Sequence, residues 1–239
     1  MVARARASVL ALLLCAAARA SFLDERDSFL DDVSARGDVC EHDFLDGVDD
    51  TARAVLGELE SMLKATHRWA LGADDAALFE ASAGGRGSSV FGHTTPGGAN
   101  SLLGEWTRRS GDGVFVDLGS GAGHTVLQGA VLFNQTRFRG VELSKARSKT
   151  AATVLAALDA RHPELNLSER VELVSGDLLE ARLDDAGAVW VSSLVLGEAM
   201  HDRLKNKLES ELRPGAVRGS ASEYRGGGGR RHQRRARCM

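Results

Sequence analysis

The 239-residue sequence has few of the residues that cross-link a chain or carry it through a membrane. It contains only three cysteines, and their positions, Cys15, Cys40 and Cys238, fit neither a disulfide framework nor the spacing of a zinc site. Aromatic residues make up only 5% of the chain. The apolar run Ala7–Ala18 is shorter than the roughly twenty residues that a membrane-spanning helix needs. We therefore expect no disulfide scaffold, no metal site and no membrane span.

The N-terminus has the pattern of a secretory signal peptide over residues 1–20. Arg4 and Arg6 precede the apolar run, and Ala18-Arg19-Ala20 is a small-x-small cleavage sequence. The alternative is an uncleaved amphipathic or disordered N-terminus. If the signal works, the two sequons Asn134-Gln-Thr136 and Asn166-Leu-Ser168 become candidates for glycosylation, although such tripeptides also arise by chance.

Charge is distributed unevenly along the chain. The net charge is −3, with +3 in residues 1–20 and +7 in residues 212–239, which leaves −13 for residues 21–211. This excludes a uniformly basic nucleic-acid-binding domain. Residues 21–42 form an acidic arm, and the Gly- and Arg-rich tail over 216–239 has too few apolar residues to fold. We predict that this tail is disordered, or that it is read in the wrong frame after a missed splice site. The alternative is a basic arm that contacts nucleic acid.

The hydrophobic pattern predicts a helical lobe with an entry loop over 43–110, followed along the chain by an α/β domain over 111–215. Apolar residues at helical spacing mark a helix over 50–70, which Asp49 or Asp50 would cap. Short apolar runs predict strands over 114–118, 137–142, 170–175 and 187–194, separated by helices over 123–134, 144–161 and 197–210. Such alternation gives a Rossmann-like parallel sheet. We predict that it is truncated after the Pro214-Gly215 turn, because no further strand pattern follows.

Residues suited to a nucleotide-like cofactor follow the predicted strands. The first strand ends at Asp117 and passes into a turn with glycines at every second position, and Glu142 follows the second strand at the spacing of a ribose-binding carboxylate. Asp177 follows the third strand, where an adenine amino group would lie, and Ser192-Ser193 follow the fourth. The turn alone also fits NAD, FAD or a structural junction, Glu142 could be a solvated charge, and Asp177 could cap a turn. Because Asp117 precedes the glycines and would repel phosphate, the combination favours the cationic S-adenosylmethionine.

Four segments resemble the class I S-adenosylmethionine methyltransferases, and within them the non-SET histone lysine methyltransferases of the disruptor of telomeric silencing family. Val90-Phe-Gly-His-Thr94 is similar to that family's Val-Tyr-Gly-Glu-Thr loop, and the segment from Asp117 to Gln128 is similar to its DLGSGVGQVVLQ. Gly140-Val-Glu142 and Gly176-Asp177-Leu178 resemble its ribose- and adenine-binding turns. The resemblance implies S-adenosylmethionine as the cofactor and a lysine side chain as the methyl acceptor. The cofactor-binding residues that we predict are Thr94, Asp117, Gly119, Ser120, Gly121, Gly123, Gln128, Glu142, Asp177 and Leu178.

The chain departs from the family where the lysine channel would be built. Val191-Ser-Ser-Leu-Val-Leu-Gly197 stands where the family has Val-Asn-Asn-Phe-Ala-Phe-Gly. Ser192 and Ser193 are thus the predicted catalytic positions, without the family's paired asparagines and rings. We expect methyl transfer to a protein lysine, with a histone or nucleosome as partner and a monomeric enzyme. The alternatives are another substrate of the secretory pathway and an inactive cofactor-binding remnant. The signal predicts the secretory pathway as the location, whereas the resemblance implies the nucleus.

Overall fold

The computed structural model describes residues 47–66, 75, 96–97, 99–100, 103–104, 106, 111, 113–191, 196 and 198–220. All of them belong to the unit that runs from Asp43 to Met239. The signal-like segment, the acidic arm and the tail beyond residue 220 lie outside the described residues.

The centre of the fold is a parallel sheet of five strands in the order β3-β2-β1-β4-β5. Between β1 and β4 the order of the strands along the chain reverses, and open α/β sheets bind their ligands at such a switch point. In chain order the elements are α1 (Asp50–Ala65), β1 (Val114–Leu118), α2 (His124–Leu132), β2 (Phe138–Glu142), α3 (Lys145–Arg161), α4 (Leu167–Arg170), β3 (Val171–Ser175), β4 (Ala186–Val191), α5 (Glu198–Glu211) and β5 (Val217–Ser220), with 3₁₀ turns at Pro163–Leu165 and Leu178–Glu180. The predicted α/β class and parallel sheet are confirmed.

Both faces of the sheet are covered, as its continuous apolar strands require. On one face Phe115 contacts Phe138, their ring centroids lying 5.6 Å apart, and this layer includes leucines of α1 and α2. On the other face Val116 and Val189 belong to a cluster that includes Leu204 of α5. Side chains of a strand alternate between faces, so Asp117 lies on the same face as Phe115.

Helix α1 begins where the sequence predicts and ends earlier. The Asp49 carboxylate caps it by accepting a hydrogen bond from the backbone N–H of Ala52 at 2.9 Å. The predicted extent to residue 70 is wrong, because the helix ends at Ala65 and Thr66 leaves the helical conformation. The Thr66 hydroxyl donates to the carbonyl of Leu63 in the last turn of the helix. Val55, Leu56, Leu59 and Leu63 form its buried face.

The predicted end of the sheet after Pro214-Gly215 is wrong. Residues Val217–Ser220 form β5, which pairs in parallel with β4 from Ala188↔Val217 to Val191↔Ser220. Gly215, with φ of 87°, makes the turn that leads into it. The tail predicted to be disordered from residue 216 therefore begins as an edge strand. Backbone pairing with β4 holds it, and a sequence with a single β-branched residue gives almost no strand pattern.

An ion-pair network joins the strands at the edge opposite their carboxyl ends. The guanidinium of Arg139 on β2 is buried and makes a bidentate contact with Asp185 at 2.7 and 2.8 Å. It also binds Glu172 of β3 at 2.6 Å. These carboxylates hold the pKa of Arg139 above its usual range, although burial opposes them. The network thus fixes β2, β3 and the start of β4 relative to one another.

Among the described residues, no helix has the length and apolar character needed to cross a membrane. Within the same part of the chain, no group of three or more His, Cys, Asp or Glu side chains is arranged to hold a metal ion.

Candidate functional site

The turn from β1 into α2 lies at the carboxyl edge of the sheet and depends on its glycines. Gly119, Gly121 and Gly123 have φ values of 87°, 57° and 83°, in the left-handed region that side chains disfavour. The backbone N–H groups of Gly119 and Ser120 donate to the carbonyl of Val141 at 2.8 and 3.0 Å, which ties the turn to β2. A Cβ at Gly140 would lie 2.8 Å from Ser120 Oγ, so this close approach needs a glycine on the strand as well.

The buried carboxylate of Glu142 connects two turns at this edge. Its Oε2 accepts a hydrogen bond from the N–H of Gly121 at 2.7 Å, and its Oε1 accepts one from the N–H of Ser144 at 2.8 Å. Burial raises the pKa of Glu142, and these two bonds together with the charge of Arg147 oppose the rise. Each carboxylate oxygen keeps a second lone pair. The geometry therefore fixes an acceptor whose remaining lone pairs can bind a pair of hydroxyl groups.

Asp117 is a second buried acid at the same edge. Its carboxyl group is 3% exposed and forms a hydrogen bond with the side chain of Thr125 in α2. Burial, and next the charge of Glu142, raises the pKa of Asp117 from 3.8 to about 7. A cationic ligand next to it would favour the ionised form, because an opposite charge stabilises a carboxylate. This edge of the sheet thus holds a buried carboxyl group that a bound cation would stabilise in its ionised form.

A third acid, Asp75, was missed by the sequence analysis. It is 2% exposed, and its Oδ2 accepts a hydrogen bond from the hydroxyl of Ser144 at 2.6 Å. Its Oδ1 accepts one from the N–H of Lys145 at 3.2 Å. Asp75 precedes Ser144 by 69 residues and lies in no motif, so no local pattern indicates the contact. A pair of acids at Asp74-Asp75 was the available signal, and only the fold shows which partner one of them meets.

The structure brings most of the predicted cofactor residues to one edge. Strand pairing aligns Glu142 with Ser175, two residues before Asp177, and Leu118 with Val191. Ser192 and Ser193, which follow Val191 directly, lie outside the described residues, as does Thr94. Their predicted roles therefore remain predictions.

Two of the predicted cofactor-binding residues form hydrogen bonds within the protein itself. Gln128 is fully buried one turn into α2, and its amide nitrogen donates to Glu60 of α1 at 3.0 Å. Asp177 accepts a hydrogen bond from the N–H of Leu179 at 2.8 Å and so caps the short turn that begins at Leu178. The capping role considered for Asp177 is thus present. Asp177 and Leu178 are both half-buried at the sheet edge, where an adenine would lie.

The model of the family described as histone methylation protein DOT1 matches residues 84–217, more than half of the chain. The chain belongs to this family. The match begins after Asp75 and ends within β5, so it includes the glycine turn, both strand-end acids and the sheet. The family resemblance drawn from the sequence is confirmed.

Individual proteins and solved structures are also similar to this chain. A protein-lysine N-methyltransferase of Saccharolobus islandicus is 31% identical over 111 residues, which make up 46% of this chain and 63% of that protein. The chain thus spans less than two thirds of this relative. The crystal structure of an RNA methyltransferase from Salinibacter ruber, solved with S-adenosyl-L-homocysteine, is 26% identical with a TM-score of 0.40, over 51% of this chain and 72% of that one. The crystal structure of a protein from Methanococcus maripaludis, described as an S-adenosyl-L-methionine-dependent methyltransferase, is 19% identical with a TM-score of 0.39. The match covers 62% of this chain and 59% of that one.

The residues at the sheet edge fit S-adenosylmethionine, the cofactor of this family. A Cβ placed on Gly119 would meet no described atom within 4 Å, so ligand atoms can approach the backbone there. Glu142 offers the acceptor pair for a ribose, and Asp117 offers a carboxylate for the cationic end. The cofactor would supply a methyl group activated by a sulfonium, and these residues would bind and orient it.

Proposed function

We propose that this protein transfers the methyl group of S-adenosylmethionine to a lysine side chain of a protein substrate, of the kind that histones present. The observation that carries the proposal is the buried Glu142 carboxylate, held by the N–H groups of Gly121 and Ser144 beside the glycine turn. Membership of the DOT1 family and the lysine methyltransferase of Saccharolobus islandicus support a lysine acceptor.

The charge of the chain also supports a basic substrate. Residues 21–211 carry a net charge of −13, and a surface of one sign attracts a partner of the opposite sign. Histone tails and other lysine-rich segments have the required positive charge. Methyl transfer needs the lysine in its neutral form and in line with the sulfonium, so alignment within the site would supply most of the rate.

The test of this function is transfer of a labelled methyl group. The full chain would be incubated with labelled S-adenosylmethionine and, separately, with core histones, nucleosomes and a total protein extract. We expect label on lysine, and we expect the Glu142→Gln variant to lose it while the Glu164→Gln variant keeps it, because Glu164 is exposed and remote from the turn. Cofactor binding without label on any substrate would favour the inactive remnant and refute the proposed activity.

A second candidate is the same chemistry on a protein of the secretory pathway. The signal-like N-terminus supports it, and so does the position of both sequons, because Asn134 and Asn166 are exposed. A mobility shift of the cellular protein on endoglycosidase treatment would show that these asparagines reach the lumen. If nucleosomes are labelled and the proteins of a secretory-compartment extract are not, this candidate is excluded.

A further inference from the structure

Ser144 is the centre of a buried hydrogen-bond network behind Glu142. It is fully buried, and its N–H and hydroxyl groups take part in three hydrogen bonds. Its N–H donates to Glu142 Oε1 at 2.8 Å, its hydroxyl donates to Asp75 Oδ2 at 2.6 Å, and its Oγ accepts from the N–H of Arg147 at 3.2 Å. Ser144 is also the N-cap of α3, so its peptide and side chain are fixed together.

Asp75 determines the direction of the Ser144 hydroxyl. Because a carboxylate can only accept, the hydroxyl hydrogen must lie on the line towards Asp75, which leaves the lone pairs of Oγ for Arg147 N–H. The other oxygen of Asp75 accepts the N–H of Lys145 at 3.2 Å, at the first position of α3. Asp75 thus fixes the start of α3, and with it the Ser144 N–H that binds Glu142.

One positive charge faces the two carboxylates of this network. Asp75 and Glu142 are both buried, and the buried guanidinium of Arg147 is close enough to stabilise the ionised forms of both. A buried carboxylate is retained at low cost only where it is hydrogen-bonded and offset by a charge, and Asp75 has both. The residue lies in the segment before the family match, which begins at residue 84.

From this network we propose that Asp75 is a positioning residue for the cofactor. It acts through Ser144 to hold the Glu142 carboxylate in the orientation that receives the ribose hydroxyls. Asp75 therefore completes a site whose other residues lie at the carboxyl edge of the sheet. The inference rests on the proposed function, because it takes Glu142 as the ribose-binding residue.

The test compares two ligands on the full-length protein by calorimetry. The first is S-adenosylhomocysteine, and the second is its analogue without the two ribose hydroxyls. In the Asp75→Asn variant an amide N–H faces the serine hydroxyl, which must then turn away. We expect binding of S-adenosylhomocysteine to weaken about 5- to 10-fold, and binding of the dideoxy analogue to stay within twofold of the wild-type protein. Ser144→Ala should show the same selectivity, which keeps the test valid if one variant folds poorly.

The matched control is Asp159→Asn. Asp159, like Asp75, accepts hydrogen bonds at the start of a helix; its donors are the backbone N–H groups of Leu167 and Ser168, which lie away from Glu142. This variant should leave the affinity for both ligands unchanged. Equal losses for both ligands in Asp75→Asn and Ser144→Ala would overturn the positioning role, since a general loss of structure has no preference for the ribose. If the wild-type protein binds neither ligand, the proposed function itself fails.

Discussion

The buried carboxyl group of Asp117 gives a prediction about pH and stability. Burial together with the nearby charge of Glu142 raises its pKa from 3.8 to about 7 in the folded protein. In the unfolded chain the group ionises near its ordinary value. Between these two values the folded state binds more protons than the unfolded state, so the free energy of unfolding falls as pH rises. The contribution of Asp117 is fully present below about pH 4 and is lost by about pH 7.

The size of this effect follows from the difference between the two pKa values. A rise of this extent corresponds to roughly 4 kcal/mol between the fully protonated and fully ionised states. Between pH 5 and pH 8 the linkage relation gives a loss of about 2 to 3 kcal/mol in the free energy of unfolding. Asparagine has nearly the shape of a protonated aspartate and cannot ionise. The Asp117→Asn variant should therefore lack this loss.

The assay is urea unfolding of the wild-type protein and the variant at pH 5 and pH 8, without cofactor. We expect the free energy of unfolding of Asp117→Asn, measured relative to that of the wild-type protein, to be about 2 to 3 kcal/mol higher at pH 8 than at pH 5. The control is Asp159→Asn, because hydrogen bonds from Ser168 and Leu167 lower the pKa of Asp159. Asp159 is thus ionised in both states throughout this range, and its substitution should have the same effect at both pH values.

One outcome would refute this reasoning. If the difference between Asp117→Asn and the wild-type protein is the same at pH 5 and pH 8, then Asp117 ionises normally in the folded protein. The raised pKa of Asp117 would then be refuted, together with the pH dependence of cofactor binding that follows from it. The same titration predicts that S-adenosylmethionine binds the wild-type protein more tightly as pH rises through 7, because the cation favours the ionised carboxylate. That dependence should disappear in the variant.

Three further predictions concern the turn, the ribose acceptor and the ion-pair network. Gly123→Ala should cost more stability than Gly47→Ala in urea unfolding, because both glycines have a positive φ but only the first would place a Cβ 3.1 Å from a neighbouring methyl group; equal costs would contradict the steric argument. Glu142→Gln should weaken S-adenosylhomocysteine binding about 30-fold in calorimetry, since its amide must turn an N–H towards one of the two backbone donors, at a cost of about 2 kcal/mol; unchanged affinity would remove it from the site. Arg139→Met should destabilise the protein by about 2 to 3 kcal/mol, because it removes the charge-assisted hydrogen bonds of a buried guanidinium to Asp185 and Glu172. Arg182→Met on the exposed side of the same network should cost less than about 1 kcal/mol; similar values would show that burial of Arg139 is unimportant.

The elements that the sequence predicted well have strong local signals. The strand Val114–Leu118 is a short apolar run between glycines, and its predicted bounds are confirmed. Helix α3 was predicted within one residue of its observed bounds, and the serine at its start caps it. The glycine turn and Glu142 were placed at one edge from chain order alone, because the carboxyl ends of parallel strands meet there.

The elements that were missed depend on partners distant in the chain. Strand β5 exists because β4 presents an open edge, and its own residues give little strand signal. The C-terminal end of α1 was missed for a different reason, because the apolar pattern continues to Trp69 and no glycine or proline marks Ala65 as the last residue. In both cases the local signal is too weak to set the bounds of the element.

The sequence by itself determined the class of this protein. Periodicity fixed the alternation of strands and helices, and the glycines, Asp117 and Glu142 indicated a cationic nucleoside cofactor because their spacing is local. Only the tertiary structure decided the electrostatic state of these acids. Burial and mutual distance set the pKa of Asp117, and Asp75 reaches Ser144 across 69 residues of sequence. Desolvation and charge depend on every neighbour in space, and a linear pattern records only neighbours along the chain.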